Sequence, residues 1–197
     1  LKVQVLEMGP KVGLKILVSG GGRCNFTNVF SDPREHYLSS NPPFCISAMA
    51  RFGPSDFIAM VENAGIDYHE KKLGQLFCDH SARDIVAMLL QHCEWAGVDI
   101  RLKQTVTAIE PLGDGFFSVN TANARYRAPR VVLASGGLSM PKIASDLAFR
   151  TARQLGAAVV TPRAALVPFT WPEREKALYG ALAGISLDAQ VTSGGMS

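Results

Sequence analysis

Long apolar runs are what the sequence most plainly lacks. No stretch approaches the roughly 20 unbroken apolar residues of a membrane span, and no charged-then-apolar leader opens the chain. No membrane partner is expected, and a soluble, cytoplasmic protein is. Cysteine is scarce too: Cys24, Cys45, Cys78 and Cys93 have neither the density nor the spacing of a disulfide framework, which fits a reducing compartment. Neither sign of charge dominates. Twenty Lys plus Arg against 17 Asp plus Glu leave +3 with no basic block, so a nucleic-acid partner is not expected. G-x-G-x-x-G, a P-loop ending in Gly-Lys-Ser/Thr and a G-x-S-x-G elbow are all missing, which sets aside an ordinary dinucleotide fingerprint, a nucleotide-triphosphate loop and serine-nucleophile chemistry. There is no starting methionine. Leu1 opens directly into an apolar run, and the expectation is a chain that begins inside a longer protein.

What is present suffices for a globular core: 197 residues, 47% hydrophobic, enough for one domain and part of another. "LKVQVLEMGP" alternates Val3 and Val5 with Lys2 and Gln4, ends in Glu7 before Gly9-Pro10, and predicts a strand. "GPSDFIAMVENAG" predicts a helix capped by Ser55 and stopped by Gly65. "SARDIVAMLLQHCEWAG" predicts another, with Ser81 as cap, Asp84 completing a capping box, and Gly97 past its end. A strand in "VDIRLKQTVTAIE" follows, and this strand, helix, strand order argues for parallel pairing. "LGDGFFSVNTANARYRA" reads as a small antiparallel meander with turns at Gly-Asp-Gly and near Asn123. Val131 to Ala134 is a continuous apolar run, as in a strand buried on both faces, and Ser135-Gly136-Gly137 turns the chain at its end. "SDLAFRTARQLG" predicts a helix with Ser145 or Asp146 as cap, Ala148, Ala152 and Leu155 on one face, and Gly156 closing it. From Thr161 prolines punctuate the chain, and "ALAGISLDAQVTSGG" suggests strands and turns of a second region.

The most informative stretch is "LVSGGGRCNFTN". Gly20, Gly21 and Gly22 allow close approach and positive φ, so their backbone can meet an anion or a flat ring, with Arg23 adding charge. Glu7, closing a strand, is placed where dinucleotide-binding folds put an acid for a ribose hydroxyl. Cys78, His80, His92 and Cys93 do not have zinc-ligand spacing. Cys24 has no resolving cysteine near it in sequence and reads as a packed thiol. No catalytic acid or base can be named.

"KILVSGGGRCNFTN" resembles the signature of the BaiN/YhiN-like flavoproteins. These are FAD-dependent oxidoreductases, some called aminoacetone-oxidase-like, of the glutathione-reductase-type superfamily. The resemblance continues through "EKKLGQLFCDHSARDIVAMLL", "GVDIRLKQTVTAIE", "VVLASGGLSMPKI" and "ALVPFTW". It implies an α/β fold: a Rossmann-like three-layer FAD/NAD(P)-binding domain over residues 1–160, with a parallel sheet and a small antiparallel meander. That domain would lack its first strand and glycine fingerprint, and residues 161–197 would begin an inserted β-rich domain. By the same resemblance Glu7, with Met8 beside it, binds the adenosine ribose, and Val106 meets the adenine through its backbone. The loop from Lys15 to Asn25, with Ser19, Gly20, Gly21, Gly22 and Arg23, lines the pyrophosphate and isoalloxazine, and Thr27 adds a hydrogen bond. Ala134, Ser135, Gly136 and Gly137 form a second flavin-contacting turn. One departure is Ala148, where family members commonly carry glycine. The implied chemistry is hydride transfer through flavin N5 to or from a small molecule, with NAD(P)H as a further candidate partner; the alternative is a fragment that holds FAD poorly by itself.

Overall fold

A computed structural model describes residues 1–140, 143–164, 170–185, 190 and 192. Two units result, Leu1–Thr161 and Pro162–Ser197. The first is mixed α/β, with its strands in three small sheets. β1 (Gln4–Leu6) pairs in parallel with β5 (Asp99–Arg101), Val5 opposite Ile100, as the strand, helix, strand order predicts. β2 (Asn25–Asn28), β4 (Gln75–Cys78) and β3 (Tyr68–Glu70) form an antiparallel sheet in that spatial order. β6 (Val106–Pro111), β7 (Phe117–Thr121) and β8 (Arg125–Ala128) form the predicted meander.

The helices show why these segments fold as they do. α1 (Leu14–Val18) is a short turn of helix running into the glycines. α4 (Ala82–Trp95) is the longest, and its N-terminus is satisfied as predicted: Ser81 Oγ accepts from Arg83 N at 3.2 Å and Asp84 Oδ2 from Ser81 N at 3.2 Å. Its inward face carries Ala82, Ile85 and Met88, which join Cys24, Val61 and Cys78 in the main core, with Phe26, Phe57 and Tyr68 packed against it. α3 (Pro54–Asn63) has its cap at Gly53, two residues before the expected Ser55, because Pro54 fills the first helical position and Asp56 Oδ2 accepts from Gly53 N at 2.7 Å. Together with α2 (Ile46–Arg51) and a 3-10 turn at Pro42–Cys45, α3 makes a stretch apolar enough on average to cross a membrane. It is not one rod, since Phe52 is extended at φ −151° between α2 and α3.

Two expectations are corrected. "VDIRLKQTVTAIE" is two strands in two sheets, β5 and β6, because the chain turns at Lys103, a non-glycine residue at φ +56°. Val131 to Ala134 forms no strand: Val132 is 88% exposed and Leu133 37%, for no strand among the described residues lies beside them to bury either face. α5 (Leu147–Gln154) follows, with Ser145 Oγ accepting from Leu147 N and Asp146 at the cap position. Thr151 is its buried residue, while Leu155, expected inward, is exposed.

In the second unit, α6 (Glu173–Tyr179) continues into a 3-10 turn at Gly180–Leu182, and Trp171 packs against Tyr179 with ring centroids 5.2 Å apart. The reading of "PKI" at its first two residues, of most of "ALVPFTW", and of strands beyond Ile185 falls outside the described residues.

Candidate functional site

At the carboxyl end of the parallel pair, where open α/β sheets receive ligands, β1 hands over to Glu7. Its N–H donates to Arg101 O at 2.9 Å and its carbonyl accepts from Gln104 N at 2.9 Å, which ties the end of β1 to the chain leaving β5. The carboxylate is oriented as well: Oε1 accepts from Gly9 N at 2.6 Å, leaving Oε2 for a ligand hydroxyl. Met8 is exposed beside it. Two residues past Gln104, Val106 opens β6, an edge strand paired only with β7 among the described residues, so one backbone edge stays open. Glu7 and Val106 are therefore brought together through Gln104.

The Lys15 to Asn25 segment is a helix and a tight turn, not a plain loop. α1 packs on α4 so closely that a Cβ on Gly13 would lie 2.7 Å from Val86 Cγ2. The helix stops at Ser19, whose hydroxyl donates to Ile16 O at 2.7 Å. Gly20, Gly21 and Gly22 then follow at φ +55°, +67° and +87°, a left-handed run that only glycine adopts without cost. Cys24 shares that conformation at φ +55°, and its N–H closes the bend onto Ser19 O at 3.1 Å. Gly20 rests on the sheet below. Gly21 and Gly22 face open space, a Cβ on either meeting nothing within 4 Å, and Arg23 is exposed next to them.

The bend lies over one face of the β2-β4-β3 sheet. Asn25 pairs with Phe77 and Phe77 with His69, so the three side chains form a cross-strand row on that face. A Cβ on Gly20 would sit 2.7 Å from Phe77 Cε1, which fixes the bend on this row. Turned so that its amide nitrogen meets the Thr27 and Leu76 carbonyls at 3.2 and 3.3 Å, Asn25 keeps its oxygen as an acceptor. Thr27 is half-buried in β2, past a bulge. The opposite face is core, with Cys24 and Cys78 as neighbours in one cluster. The sequence shows no cysteine near Cys24; the sheet supplies one, and both thiols are free. Burial pushes both thiols up, Cys78 to about 11, with the nearby Cys24, Asp84 and Asp79 adding to it. They are thus held protonated and packed.

Ala134 to Gly137 form a turn in which Gly136 has φ +73°. It reaches the other segment: a Cβ on Gly136 would be 4.0 Å from Lys15 Nζ. Ser135 Oγ is shielded from solvent and has no hydrogen-bond partner among the described residues. An unmet buried hydroxyl costs about 1–3 kcal/mol, so this one asks for an acceptor. Taken together, a strand-end carboxylate, glycines whose outer face is empty, the Lys15 ammonium near the second turn and a hydroxyl unpartnered among the described residues are groups that fit an adenine-diphosphate-bearing cofactor. Among the described residues no cluster of His, Cys, Asp and Glu could hold a metal ion.

Known proteins resemble this chain over nearly its whole length. Residues 1–197 match the HI0933-like protein Rossmann domain. A ribosomal RNA dihydrouridine synthase of Haemophilus influenzae is 45% identical over 97% of this chain and 48% of its own length. One of Escherichia coli is 44% identical over 98% and 48%. A 3-dehydro-bile acid delta(4,6)-reductase of Clostridium scindens is 27% identical over 98% and 46%. The chain thus spans about half the length of these relatives. With its parallel pair, its glycine bend and a match running from end to end, the chain belongs to the HI0933-like Rossmann-domain family.

Proposed function

We propose that this chain is the cofactor-binding part of an FAD-dependent reductase that saturates a carbon–carbon double bond conjugated to a carbonyl. When bound, FAD supplies the hydride through N5, and reduced nicotinamide nucleotide supplies the electrons. The observation that carries the reading is the convergence of the glycine bend and the Ser135 turn, Lys15 Nζ lying 4.0 Å from where a Cβ on Gly136 would be, with the Ser135 hydroxyl unpartnered among the described residues. Glu7 holds the ribose, and the exposed side of Gly21 and Gly22 lets a diphosphate or ring edge approach. Lys15 and Arg23 offset its charge.

The substrate class comes from what the relatives' names share. Making dihydrouridine saturates a pyrimidine double bond beside a carbonyl, and a delta(4,6)-reductase acting on a 3-oxo steroid saturates an alkene in conjugation with that oxo group. The higher identity favours a uridine in RNA over a small enone. The small net charge that argues against a nucleic-acid partner bears on phosphate contacts and on salt-dependent affinity. It does not bear on whether one unstacked base can enter a flavin site. The test uses the full-length protein with FAD and reduced nicotinamide nucleotide, offered unmodified ribosomal RNA or a steroid dienone. Gain of two hydrogens by uridine, read by mass spectrometry of nucleosides, supports the RNA reading; reduction of the dienone alone supports the small-molecule reading; neither product defeats both.

A second reading concerns the 197 residues by themselves. Val131 to Ala134 lie exposed and outside any sheet next to the Ser135 turn, so that turn is supported by little in this chain alone. The 197-residue chain is accordingly proposed to hold FAD poorly until the remainder of the protein is present; micromolar binding by the chain alone would contradict this.

A further inference from the structure

The chemistry just proposed needs a proton as well as a hydride, and the residues along the glycine bend do not include an obvious donor. The face of the sheet beneath the bend does. Asn25, Phe77 and His69 form one row across β2, β4 and β3, so His69 is on the face that Gly20 covers. Its ring stacks on Phe77, centroids 6.3 Å apart and planes 19° from parallel, while Gly20 abuts the edge of the same Phe77 ring. His69 Nδ1 lies 2.6 Å from Asp79 Oδ1, just past the end of β4. A carboxylate only accepts, so Nδ1 carries the hydrogen and Nε2 is left without a hydrogen-bond partner among the described residues. Both side chains stay reachable, His69 at 43% exposure and Asp79 at 39%.

We propose that His69, positioned by Asp79, is the proton donor of the reduction; this rests on the reading above that a conjugated alkene is reduced. As the β-carbon of the alkene accepts a hydride, the two π electrons form a C–H bond at the α-carbon with the proton from His69 Nε2, directly or through one water. The imidazolium becomes neutral imidazole and regains a proton from solvent, and the electrons come from reduced nicotinamide nucleotide. Asp79 is a positioning residue, holding the ring so that Nε2 faces away from it. Around the pair stand Lys71, whose Nζ is 5.3 Å from the Phe77 centroid, and the Asp67–His80 pair at 3.8 Å.

The experiment uses the full-length, FAD-loaded protein and separates the two half-reactions in a stopped-flow instrument. In His69→Gln, flavin reduction by reduced nicotinamide nucleotide stays unchanged, while reoxidation by substrate slows by about 10²–10⁴-fold, the usual contribution of a general acid. In His69→Ala added imidazole restores part of the rate. A readout independent of turnover is the ¹⁵N spectrum of His69: Nδ1 protonated in the wild type, and that preference lost in Asp79→Asn. Unchanged reoxidation in His69→Gln, or an Nδ1 without its hydrogen, overturns the assignment. A wild-type enzyme that reduces neither RNA uridine nor dienone overturns the parent reading, and this one with it; a wild type that reduces either one while His69→Gln matches it overturns this one alone.

Discussion

Gly20 sits against Phe77 so tightly that any side chain on it would collide with the ring, a Cβ falling 2.7 Å from Cε1 and 2.8 Å from Asn25 N. Gly22, two residues on, has a similar backbone sign but empty space around it. The two positions separate backbone strain from steric conflict. Gly22→Ala is expected to cost about 1–2 kcal/mol, the penalty of a left-handed alanine. Gly20→Ala carries the same penalty and also lifts the bend off Phe77, so its cost is greater and FAD uptake by the full-length protein falls further. Urea unfolding and flavin titration of both variants check this; equal losses would show that Phe77 does not hold the bend.

Ser135→Ala separates stability from binding. The shielded Oγ has no partner among the described residues, and removing it relieves a cost of about 1–3 kcal/mol. The FAD-free protein should therefore melt no lower than wild type, and somewhat higher. In the full-length protein the same change deletes a donor for the cofactor, with a loss of up to about tenfold in FAD affinity, the worth of one neutral hydrogen bond. A variant that loses stability without losing affinity would place the hydroxyl in the scaffold instead.

Legibility in the sequence followed local signals. α4 could be read because Ser81, Asp84 and the spacing of Ile85, Met88 and Leu89 are all local, and Ile85 and Met88 are buried accordingly. The meander could be read from its turns. The β2-β4-β3 sheet could not, since its strands are three or four residues long and Asn25 meets Phe77 across about 50 positions of sequence. That sheet hid both the Cys24–Cys78 proximity and the row ending in His69, the residue for which no local pattern exists. "YHEKKLGQLFCD" did contain a clue: Leu73-Gly74, a turn in which both residues have positive φ, ahead of the short apolar run Leu76-Phe77-Cys78. The Val131 to Ala134 run was misread for the opposite reason. Apolar composition states what a segment can pair with and does not guarantee a partner within reach.

Cys78 and Cys24 set the behaviour at high pH. Burial raises the Cys78 thiol to about 11, and Cys24 rises for the same reason, its bond with the Ser19 hydroxyl offsetting part of the effect. A thiol whose folded value lies above that of the unfolded chain, about 8.5, stabilises the fold fully below that pH. The contribution is lost as pH climbs through the folded value. Melting temperature should therefore be flat from neutral pH to about 8.5 and decline toward 11, and Cys78→Ala should flatten the decline. Iodoacetamide at neutral pH should label the half-buried Cys45 and Cys93 well before Cys24 and Cys78.

Val132 offers the sharpest test of the proposal that this chain is part of a longer protein, as its relatives are about twice its length. In these 197 residues its side chain is 88% exposed, Leu133 beside it is 37% exposed, and Val3, just before β1, and Val5, on it, are 43% and 41% exposed. Four apolar side chains near the cofactor turn and the parallel pair are an unusual thing to leave in water, and relatives about twice as long have chain with which to cover them. If they are covered in the full-length protein, Val132→Asp has two different outcomes. In the 197-residue chain it behaves as a surface change and alters unfolding free energy by no more than about 0.5 kcal/mol. In the full-length protein it buries an unpaired carboxylate, costs about 3–5 kcal/mol, and takes FAD binding with it. A hydrophobic dye that fluoresces with the 197-residue chain should likewise lose its sites in the longer protein. Equal tolerance of the aspartate in both would mean that this run faces solvent in the whole protein as well, and that the Ser135 turn needs no neighbouring strand to hold its cofactor.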